Sequence, residues 1–458
     1  MAESIGNSGT GMKLHTKILL GLLVGAAIGV TMNLTLGGSD PTVVGINKYV
    51  AGPVGQIFLR LLFMIVIPLV FASISLGVAG LGDVRRIGRV GGKAIGYFLG
   101  TTALSATLGL ILVSIVRPGE RLDPATRTRL LATYAQDASS KVEAAANSTF
   151  GIETLVNIVP RNPFRAAVDL DMLGIIFFGI MFGAALTLIA AEKAKPMLAV
   201  LEAIEGVVIK IVEIAMRLAP YGVAALIFGV TSRFGFDLLV PLAWYIALVL
   251  GALLLHVLIT ISGILKFVVG LSPSLFFSRV RSALITAFST SSSSATLPTA
   301  LATSEQNLGV PPQIAGFVLP LGSTMCMNGT ALFEGITVIF LCQVFGIDLS
   351  LGQMVVVMIM SVITAVGAAG VPGGSIPLLV GILTMFGVPA EGIAIVLGVD
   401  RILDMSRTTV NVCGDLSATA FVAKSEGVWN ASMVPAVAGV VDRKGPMDDS
   451  PGWPPASA

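Results

Sequence analysis

The sequence predicts an all-α protein that crosses a lipid bilayer several times. Apolar residues make up 55% of the 458 and charged residues only 12%, whereas a soluble domain carries about 25% charged residues. Mean hydropathy is +0.92. Charges nevertheless gather in one apolar segment, IAIVLGVDRILDMSRTTVNVCGDLSATAFVA (393–423). A charge at the centre of a lipid-facing helix costs about 2.5–3.5 kcal/mol, so this segment is expected to turn a polar face inward.

That polar face has helical spacing. Its members are three, one, three and four residues apart, which places them along one face about 16 Å long. They are Asp404, Arg407, Thr408, Asn411 and Asp415. A buried stripe of acid, guanidinium, hydroxyl and amide is suited to holding a zwitterion together with a cation. The stripe therefore predicts a solute site inside a membrane protein.

The remaining composition excludes several classes. A net charge of +2 shows no bias that would favour nucleic acid. Cys326, Cys342 and Cys413 all lie in apolar segments, which argues against a disulfide framework. His15 and His256 are the only histidines, so little is available for a zinc site or for catalysis by histidine.

Six apolar stretches in the first part of the chain are long enough to span a bilayer. They are 17–37, 55–80, 94–116, 172–191, 201–232 and 238–268. The basic loop 82–93 is expected in the cytoplasm with the N-terminus, because positive loops stay inside. The long segment 117–170 is then expected outside, and the Pro- and Asp-rich tail after about 440 is predicted to be disordered.

The second half contains two Gly/Ser/Pro-rich runs inside apolar stretches, STSSSSATLP (289–298) and AAGVPGGSIP (368–377). Each precedes an apolar helix with a polar interruption, CMNGT (326–330) in one case and the 400–415 stripe in the other. Irregular backbone at membrane depth is tolerated only where it is buried or lines a cavity. A hairpin and helix occurring twice indicates inverted repeats with a site between them. Ordinary spans with flexible kinks are the alternative.

From about residue 17 to 425 the chain resembles the glutamate/aspartate transporters, also called dicarboxylate/amino acid:cation symporters. The resemblance is carried by FMIVIPLVFASI, IVPRNPF, SSSSATLP, PLGSTMCMNGTALFEG, GAAGVPGG and DRILDMSRTTVNVCGDLSATAFVAK. It implies eight transmembrane helices, two re-entrant helical hairpins, inverted repeats and an elevator-type movement. It also implies a homotrimer in the bilayer.

The resemblance further implies a division of the chain into a static scaffold and a moving transport domain. The scaffold would comprise 17–92 and 171–232, and the transport domain 93–116 and 233–425. Outside both would lie a cytoplasmic N-terminus (1–16), an extracellular loop (117–170) and a cytoplasmic C-terminal tail (426–458). The second hairpin is expected to act as the extracellular gate.

By the same resemblance, Arg407 would pair with the side-chain carboxylate of glutamate or aspartate, which suits its planar guanidinium. Asp404 would receive the substrate ammonium group. The further substrate contacts would be Thr408, Asn411, Thr330, Ser291, Ser293, Val371 and Ser375. A structural ion pair with Asp404 is the alternative for Arg407, and plain packing is the alternative for the serines.

Two sodium sites are implied as well, and no transition metal. Asp415 would bind one sodium ion, together with main-chain oxygens of Gly322, Cys326 and Asn411, because hard cations take oxygen ligands. The second site would use carbonyl oxygens near Thr324, Ala365, Val366 and Ala368. Since these are backbone ligands, side-chain differences do not by themselves abolish either site.

The chain departs from the sodium-coupled members at a third sodium site. Asn328 replaces an aspartate and Phe98 replaces a tyrosine, although Thr101 and Thr102 preserve two hydroxyls. A sodium ion without that carboxylate loses its main counter-charge. We expect the third site to be lost.

Two further departures concern charge. Glu334 stands where proton-coupled members carry a glutamate, and burial favours its neutral form, which makes it a candidate proton carrier. A glutamate satisfied by a neighbouring helix is the alternative. The second arginine that relatives carry at the position of Ser291 or of Met405 is absent here, and Arg401 could neutralise Asp404 instead.

The expected function is therefore import of glutamate or aspartate, coupled to H⁺ and/or Na⁺, across the plasma (inner) membrane of a bacterium, without a cofactor or nucleic acid. Transport of C4-dicarboxylates or neutral amino acids on the same fold is the alternative. A passive channel is a further alternative. An intramembrane aspartyl protease would need two aspartates on separate helices, and Asp404 and Asp415 share one.

Overall fold

The computed structural model describes residues 14–82, 84–123, 126–128, 159–168, 172–368, 370, 373–397 and 399–434. Over these residues all regular structure is helical, without a strand. Most of the predicted N-terminal segment, most of the 117–170 loop, the tail beyond 434 and Val371 lie outside them.

Among the described residues, the first half of the chain contains eight α-helices. They are α1 (Leu14–Leu36), α2 (Pro41–Ile46), α3 (Gly52–Phe63), α4 (Val66–Gly82), α5 (Val84–Val116), α6 (Pro163–Val168), α7 (Met172–Leu188) and α8 (Ala191–Phe234). A π-helical turn, Asn47–Ala51, joins α2 to α3. Each predicted apolar span of this half coincides with one of these helices or with the pair α3 and α4.

The described part of the second half contains nine α-helices. They are α9 (Leu239–His256), α10 (Pro273–Thr290), α11 (Ser293–Ala302), α12 (Pro312–Met325), α13 (Asn328–Val344), α14 (Leu351–Val366), α15 (Ile376–Met385), α16 (Ala394–Leu397) and α17 (Asp400–Ser425). Two π-helical segments, Val257–Ile261 and Ile264–Val269, extend α9.

Four helical segments among the described residues are long and apolar enough to cross a membrane. They are Thr16–Leu36, Arg89–Arg121, Leu239–Val269 and Pro312–Val344. Shorter apolar helices cover Ile67–Leu76, Gly174–Leu188 and Leu351–Val366. The chain is thus a helical membrane protein, while the count of eight spans and the division into scaffold and transport domain stay predictions.

A stripe of glycines brings α1 into close contact with α8. Gly21, Gly25 and Gly29 recur every four residues and so lie on one face of α1. A methyl group on Gly25 would collide with the carbonyl oxygen of Ala224 and lie 2.8 Å from Ile227 Cγ2. Small residues of this kind let helix backbones approach closely in membranes.

Replacing Gly25 with leucine is therefore expected to destabilise the fold by about 1–3 kcal/mol, because the added side chain would overpack backbone that cannot move aside. The midpoint of unfolding in mixed detergent micelles measures this. Gly206→Leu on α8 is the matched control, since a methyl group at Gly206 meets nothing within 4 Å. An equal midpoint for both variants would contradict the assigned packing.

Both predicted hairpins are present as helix–turn–helix units, α10–α11 and α14–α15. The first turns at Ser291, whose φ of 52° is left-handed, and Ser292 then caps α11 by accepting a hydrogen bond from the Ala295 N–H at 3.1 Å. The two tips touch, because the Ser292 hydroxyl donates to the Gly370 carbonyl at 2.6 Å. The tips of the two hairpins are therefore in direct contact in this conformation.

The predicted polar interruption at 326–330 is a break between two helices. α12 ends at Met325, Cys326 and Met327 leave helical geometry, and α13 begins at Asn328. Every residue of α13 is buried. The helix lies at the centre of the fold, where it packs against α5, α14 and α17.

A short C-terminal strap, residues 426–434, follows α17 and crosses the base of the first hairpin. Trp429 is 2% exposed, and its indole Nε1 donates to the carbonyl of Leu308 at 2.9 Å. A buried indole that finds a hydrogen-bond partner packs as a large apolar group without an unpaired donor. Trp429 therefore anchors the strap, whose other residues are exposed or partly exposed, to the folded core.

The strap also holds the start of α5. Glu426 accepts hydrogen bonds from Arg89 at 2.7 Å and from Lys93 at 2.6 Å. These hydrogen bonds, that from Arg89 above all, hold the pKa of Glu426 below its usual range. The carboxylate is therefore ionised at neutral pH and ties the end of α17 to α5.

Candidate functional site

A narrow cavity lies where both hairpin tips, the break before α13 and the polar face of α17 meet. Its empty volume, counting space that is open to the solvent, is about 280 Å³. The lining residues are Ser291, Ser293, Met327, Thr330, Ala368, Gly370, Ser375, Asp404, Arg407, Thr408 and Asn411. The structure thus brings together every predicted substrate contact except Val371, which lies outside the described residues.

Arg407 is the largest charged group at the cavity, with 2% of its side chain exposed. Its Nη1 lies 3.0 Å from Asp400 Oδ1, and its Nε donates to Asp404 Oδ1 at 3.1 Å. The guanidinium carbon also stands 4.2 Å from the centre of the Phe333 ring, a cation–π arrangement. The ion pair with Asp404 that was the alternative function for Arg407 is therefore present, and it coexists with the cavity.

One nitrogen of this guanidinium, Nη2, is a hydrogen-bond donor without an acceptor among the described residues. Nη2 lies 2.9 Å from Asp404 Oδ1, yet the angle is unsuited to a hydrogen bond, and Nη2 has no acceptor among the described residues. An unpaired buried donor is costly unless a ligand satisfies it. Nη2 is accordingly a buried donor that no group among the described residues satisfies.

Asp404 is held from three sides. Besides Arg407 on Oδ1, its Oδ2 accepts from the backbone N–H of Gly373 at 3.2 Å and from Arg401 Nη1 at 3.4 Å. Gly373 belongs to the tip of the second hairpin, where its φ is +74°. Asp404 therefore connects α17 to the second hairpin.

Asn411 supports the break in the helix. Its Oδ1 accepts from the N–H of Gly329 at 2.7 Å, and its Nδ2 donates to Thr330 Oγ1 at 3.0 Å and to Met327 Sδ at 3.2 Å. These bonds occupy its amide and cap the first turn of α13, whose N–H groups lack partners within the helix. A substrate contact by Asn411 would have to exchange one of them.

Other polar atoms around the cavity are unpaired. Ser291 Oγ and Ser375 Oγ are buried and have no hydrogen-bond partner among the described residues. The helices α11, α13 and α15 each begin beside the cavity. Since helix N-termini carry partial positive charge, the cavity favours an anionic solute.

The predicted cation ligands cluster deeper along α17. Asp415 is 3% exposed, and its Oδ1 has no hydrogen-bond partner among the described residues. A methyl group at Gly322 would lie 2.5 Å from that oxygen, and one at Gly414 would lie 2.8 Å from Cys326 Sγ. The carboxylate thus meets the end of α12, where the chain leaves the helix.

The predicted second cation set lies at the C-terminal ends of α12 and α14 and at Ala368 just beyond α14. Ala365 and Ala368 are buried, and the Ala365 carbonyl already accepts from the Ala368 N–H at 3.1 Å. Thr324 and Val366 flank them on α12 and α14. A carbonyl oxygen has two lone pairs, so the bond at Ala365 leaves room for a cation.

The predicted third cation site is filled by an amide. Asn328 Oδ1 accepts from Thr102 Oγ1 at 2.8 Å and lies 3.2 Å from Thr101 Oγ1. Phe98 is fully buried nearby, with its ring edge 3.2 Å from the place of a methyl group at Gly322. All four groups are neutral, so a cation here would have no counter-charge.

Glu334 is fully buried on α13. Its Oε2 lies 2.6 Å from the hydroxyl of Thr364 on α14, while Oε1 has no partner among the described residues. The same hydroxyl lies 2.6 Å from the carbonyl of Met360. Glu334 thus has the helix partner that was its alternative reading, and this partner belongs to the second hairpin.

Comparison with known proteins identifies the family. Residues 14–425 match the sodium:dicarboxylate symporter family. The chain belongs to this family. It is 37% identical to a proton/sodium-glutamate symport protein of Bacillus subtilis, over 91% of this chain and 94% of the relative. It is 36% identical to a proton/glutamate-aspartate symporter of Escherichia coli, over 90% and 93%, and 33% identical to a C4-dicarboxylate transport protein of Bacillus subtilis, over 94% and 99%.

Membership of this family confirms the resemblance drawn from the motifs. A symporter family moves solutes across membranes, so the chain is a multi-pass membrane transporter and not an enzyme. The intramembrane protease alternative is therefore wrong.

Several residues at the site had no assigned role in the sequence. Asp400 and Phe333 both contact Arg407, and Phe333 lies three residues after Thr330, which helical spacing could have revealed. Thr364 had no such signal, because its contact with Glu334 depends on how α14 packs. The contact of Gly370 with Ser292 could not be predicted from the sequence either, because it forms only when the two hairpins fold against each other.

Proposed function

We propose that the chain is a secondary active symporter that imports glutamate or aspartate. The observation that carries this proposal is Arg407, buried at the cavity with Nη2 unpaired beside the carboxylate of Asp404. A guanidinium matches a substrate carboxylate, and Asp404 offers an acceptor for the ammonium group. The relatives named for glutamate and aspartate support the same substrate class.

Binding would exchange internal contacts for contacts with the substrate. The side-chain carboxylate would take the hydrogens of Arg407 Nη2, while the ammonium group would approach Asp404. The α-carboxylate would meet the unpaired hydroxyls of Ser291 and Ser375 and the start of α11. Ser293, Thr330 and Thr408 complete the wall of the cavity, and we assign Val371 to it as well.

Coupling would use cations near the same cavity. We place one sodium ion at Asp415 with main-chain oxygens of Gly322, Cys326 and Asn411, because its unpaired Oδ1 is a hard anionic ligand. A second sodium ion would use carbonyls of Thr324, Ala365, Val366 and Ala368. The neutral Asn328 amide supports the loss of the third sodium site.

We assign Glu334 as the proton carrier. The Thr364 hydroxyl has a single proton and two close oxygens, those of Glu334 and the Met360 carbonyl. If that proton goes to the carbonyl, the bond to Glu334 needs a proton from the carboxyl group itself. A protonated Glu334 therefore satisfies both contacts, and the names of the relatives include proton coupling.

Architecture and location follow the family. We propose a homotrimer in a bacterial plasma (inner) membrane, with 17–92 and 171–232 as scaffold and 93–116 and 233–425 as the moving transport domain. The second hairpin would open to admit substrate, and the loaded domain would then move as an elevator. The contact of its Gly370 carbonyl with Ser292 is what opening would break.

Uptake of radiolabelled L-aspartate into proteoliposomes tests the proposal, with a sodium or a pH gradient imposed one at a time. Either gradient alone is expected to drive accumulation above the level in gradient-free vesicles. No accumulation under any gradient would overturn the proposed function. Uptake driven by sodium alone and indifferent to pH would overturn only the role of Glu334.

The variant Glu334→Gln tests whether Glu334 carries the co-transported proton. We expect it to lower pH-gradient-driven uptake at least tenfold while sodium-driven uptake persists, because glutamine can keep the bond to Thr364 but cannot release a proton. Glu192→Gln, an exposed change at the start of α8, is the matched control. A pH response in the Glu334 variant equal to that of the control would contradict the assignment.

A further inference from the structure

Two acidic and two basic side chains form an open chain of contacts at the start of α17. In order of contact they are Arg401, Asp404, Arg407 and Asp400. The nitrogen–oxygen distances between neighbours are 3.4, 2.9 and 3.0 Å. Each side chain is less than a tenth exposed, and the two positive and two negative charges cancel.

Arg401 differs from the other cation of this chain. It does not line the cavity, as Arg407 does, and its Nε is buried without a hydrogen-bond partner among the described residues. Its contact is with Asp404 Oδ2, the oxygen that also accepts from the N–H of Gly373. Arg401 therefore does not contact a solute in the cavity directly, and Asp404 is the residue that links it to the cavity.

The charge of Asp404 decides how much the site favours an ammonium group. Facing the cavity alone, the carboxylate would attract an ammonium strongly and would be left as a buried unpaired charge by a solute that lacks one. With a guanidinium on each of its oxygens, it is compensated before any solute binds. The gain from an ammonium group, and the penalty for lacking one, both become smaller.

We propose that Arg401 is a specificity-determining residue that positions Asp404 and sets the preference for amino acids over dicarboxylates without an amino group. This inference rests on the proposed function, because it requires Asp404 to face the substrate. Sequence identity does not distinguish these two classes of solute, because relatives named for glutamate and for C4-dicarboxylates are 37% and 33% identical to this chain. The proposed role of Arg401 addresses that distinction.

Competition between L-aspartate and succinate tests the inference, since succinate is aspartate without the ammonium group. The measured quantity is the inhibition constant of succinate divided by the KM of L-aspartate. In Arg401→Gln this ratio is expected to rise at least tenfold, because removing the cation affects the carboxylates of both solutes alike and favours only the ammonium. Arg401→Lys, which keeps the charge, is expected to change the ratio less than threefold.

Arg233→Gln, the same charge removal at the end of α8, is the matched control and is expected to leave the ratio unchanged. A ratio that stays within threefold in Arg401→Gln, or falls, overturns the inference, as does a tenfold rise in Arg401→Lys. Absence of inhibition by succinate at a thousand times the KM in the unmodified protein also overturns it, since Asp404 would then discriminate fully despite Arg401. Failure of L-aspartate uptake in the unmodified protein would instead overturn the proposed function.

Discussion

Replacing Arg407 with cysteine is expected to lower kcat/KM for L-aspartate at least a hundredfold. Removing one partner of a buried ion pair costs about 3–5 kcal/mol, and here Asp400 and Asp404 would both lose their shared cation. The substrate carboxylate would lose its donor as well. The same change is expected to admit small neutral amino acids, so uptake of L-serine and of L-aspartate should be measured side by side.

Arg217→Cys is the matched control, because Arg217 lies exposed on α8 and should leave both rates unchanged. Two uncompensated acids could also weaken the fold, so the melting temperature of the Arg407 variant needs to be recorded. A folded variant that still takes up L-aspartate and excludes L-serine would contradict the assignment of Arg407 to the side-chain carboxylate of the substrate.

Replacing Asp415 with asparagine is expected to raise the sodium concentration for half-maximal uptake at least a hundredfold. The amide keeps an oxygen of similar position but removes the only carboxylate of the cluster, and hard cations depend on such charge. Sodium titration of L-aspartate uptake measures the effect.

Asp348→Asn serves as the control for this change, since the Asp348 side chain is 94% exposed. It should follow the sodium dependence of the unmodified protein. If the Asp415 variant follows that dependence too, the cation lies elsewhere.

Helical spacing and composition along the chain predicted much of the candidate site. The spacing of the stripe on α17 placed Asp404, Arg407 and Thr408 at one cavity, because a continuous helix fixes which residues share a face. The serine-rich run predicted the tip of the first hairpin, because irregular backbone inside an apolar segment is tolerated only where it is buried or lines a cavity. These features depend on local geometry, which sequence carries directly.

Contacts between segments far apart in the chain could not be predicted from such local patterns. The bond between Glu334 and Thr364 depends on how α13 and α14 pack, and the capping of α13 by Asn411 depends on the register of α17. The motif gave Asn411 a place at the substrate, whereas the fold shows its amide already engaged. Such pairings follow from tertiary packing, for which a single sequence gives no periodic signal.

The strap that follows α17 has a practical consequence for handling the protein. A stop codon placed just after Ser425 would remove the indole that plugs the base of the first hairpin and the carboxylate that anchors α5. Truncations made to shorten the chain should therefore keep everything through Val434, and affinity tags or fluorescent fusions are best joined beyond that point.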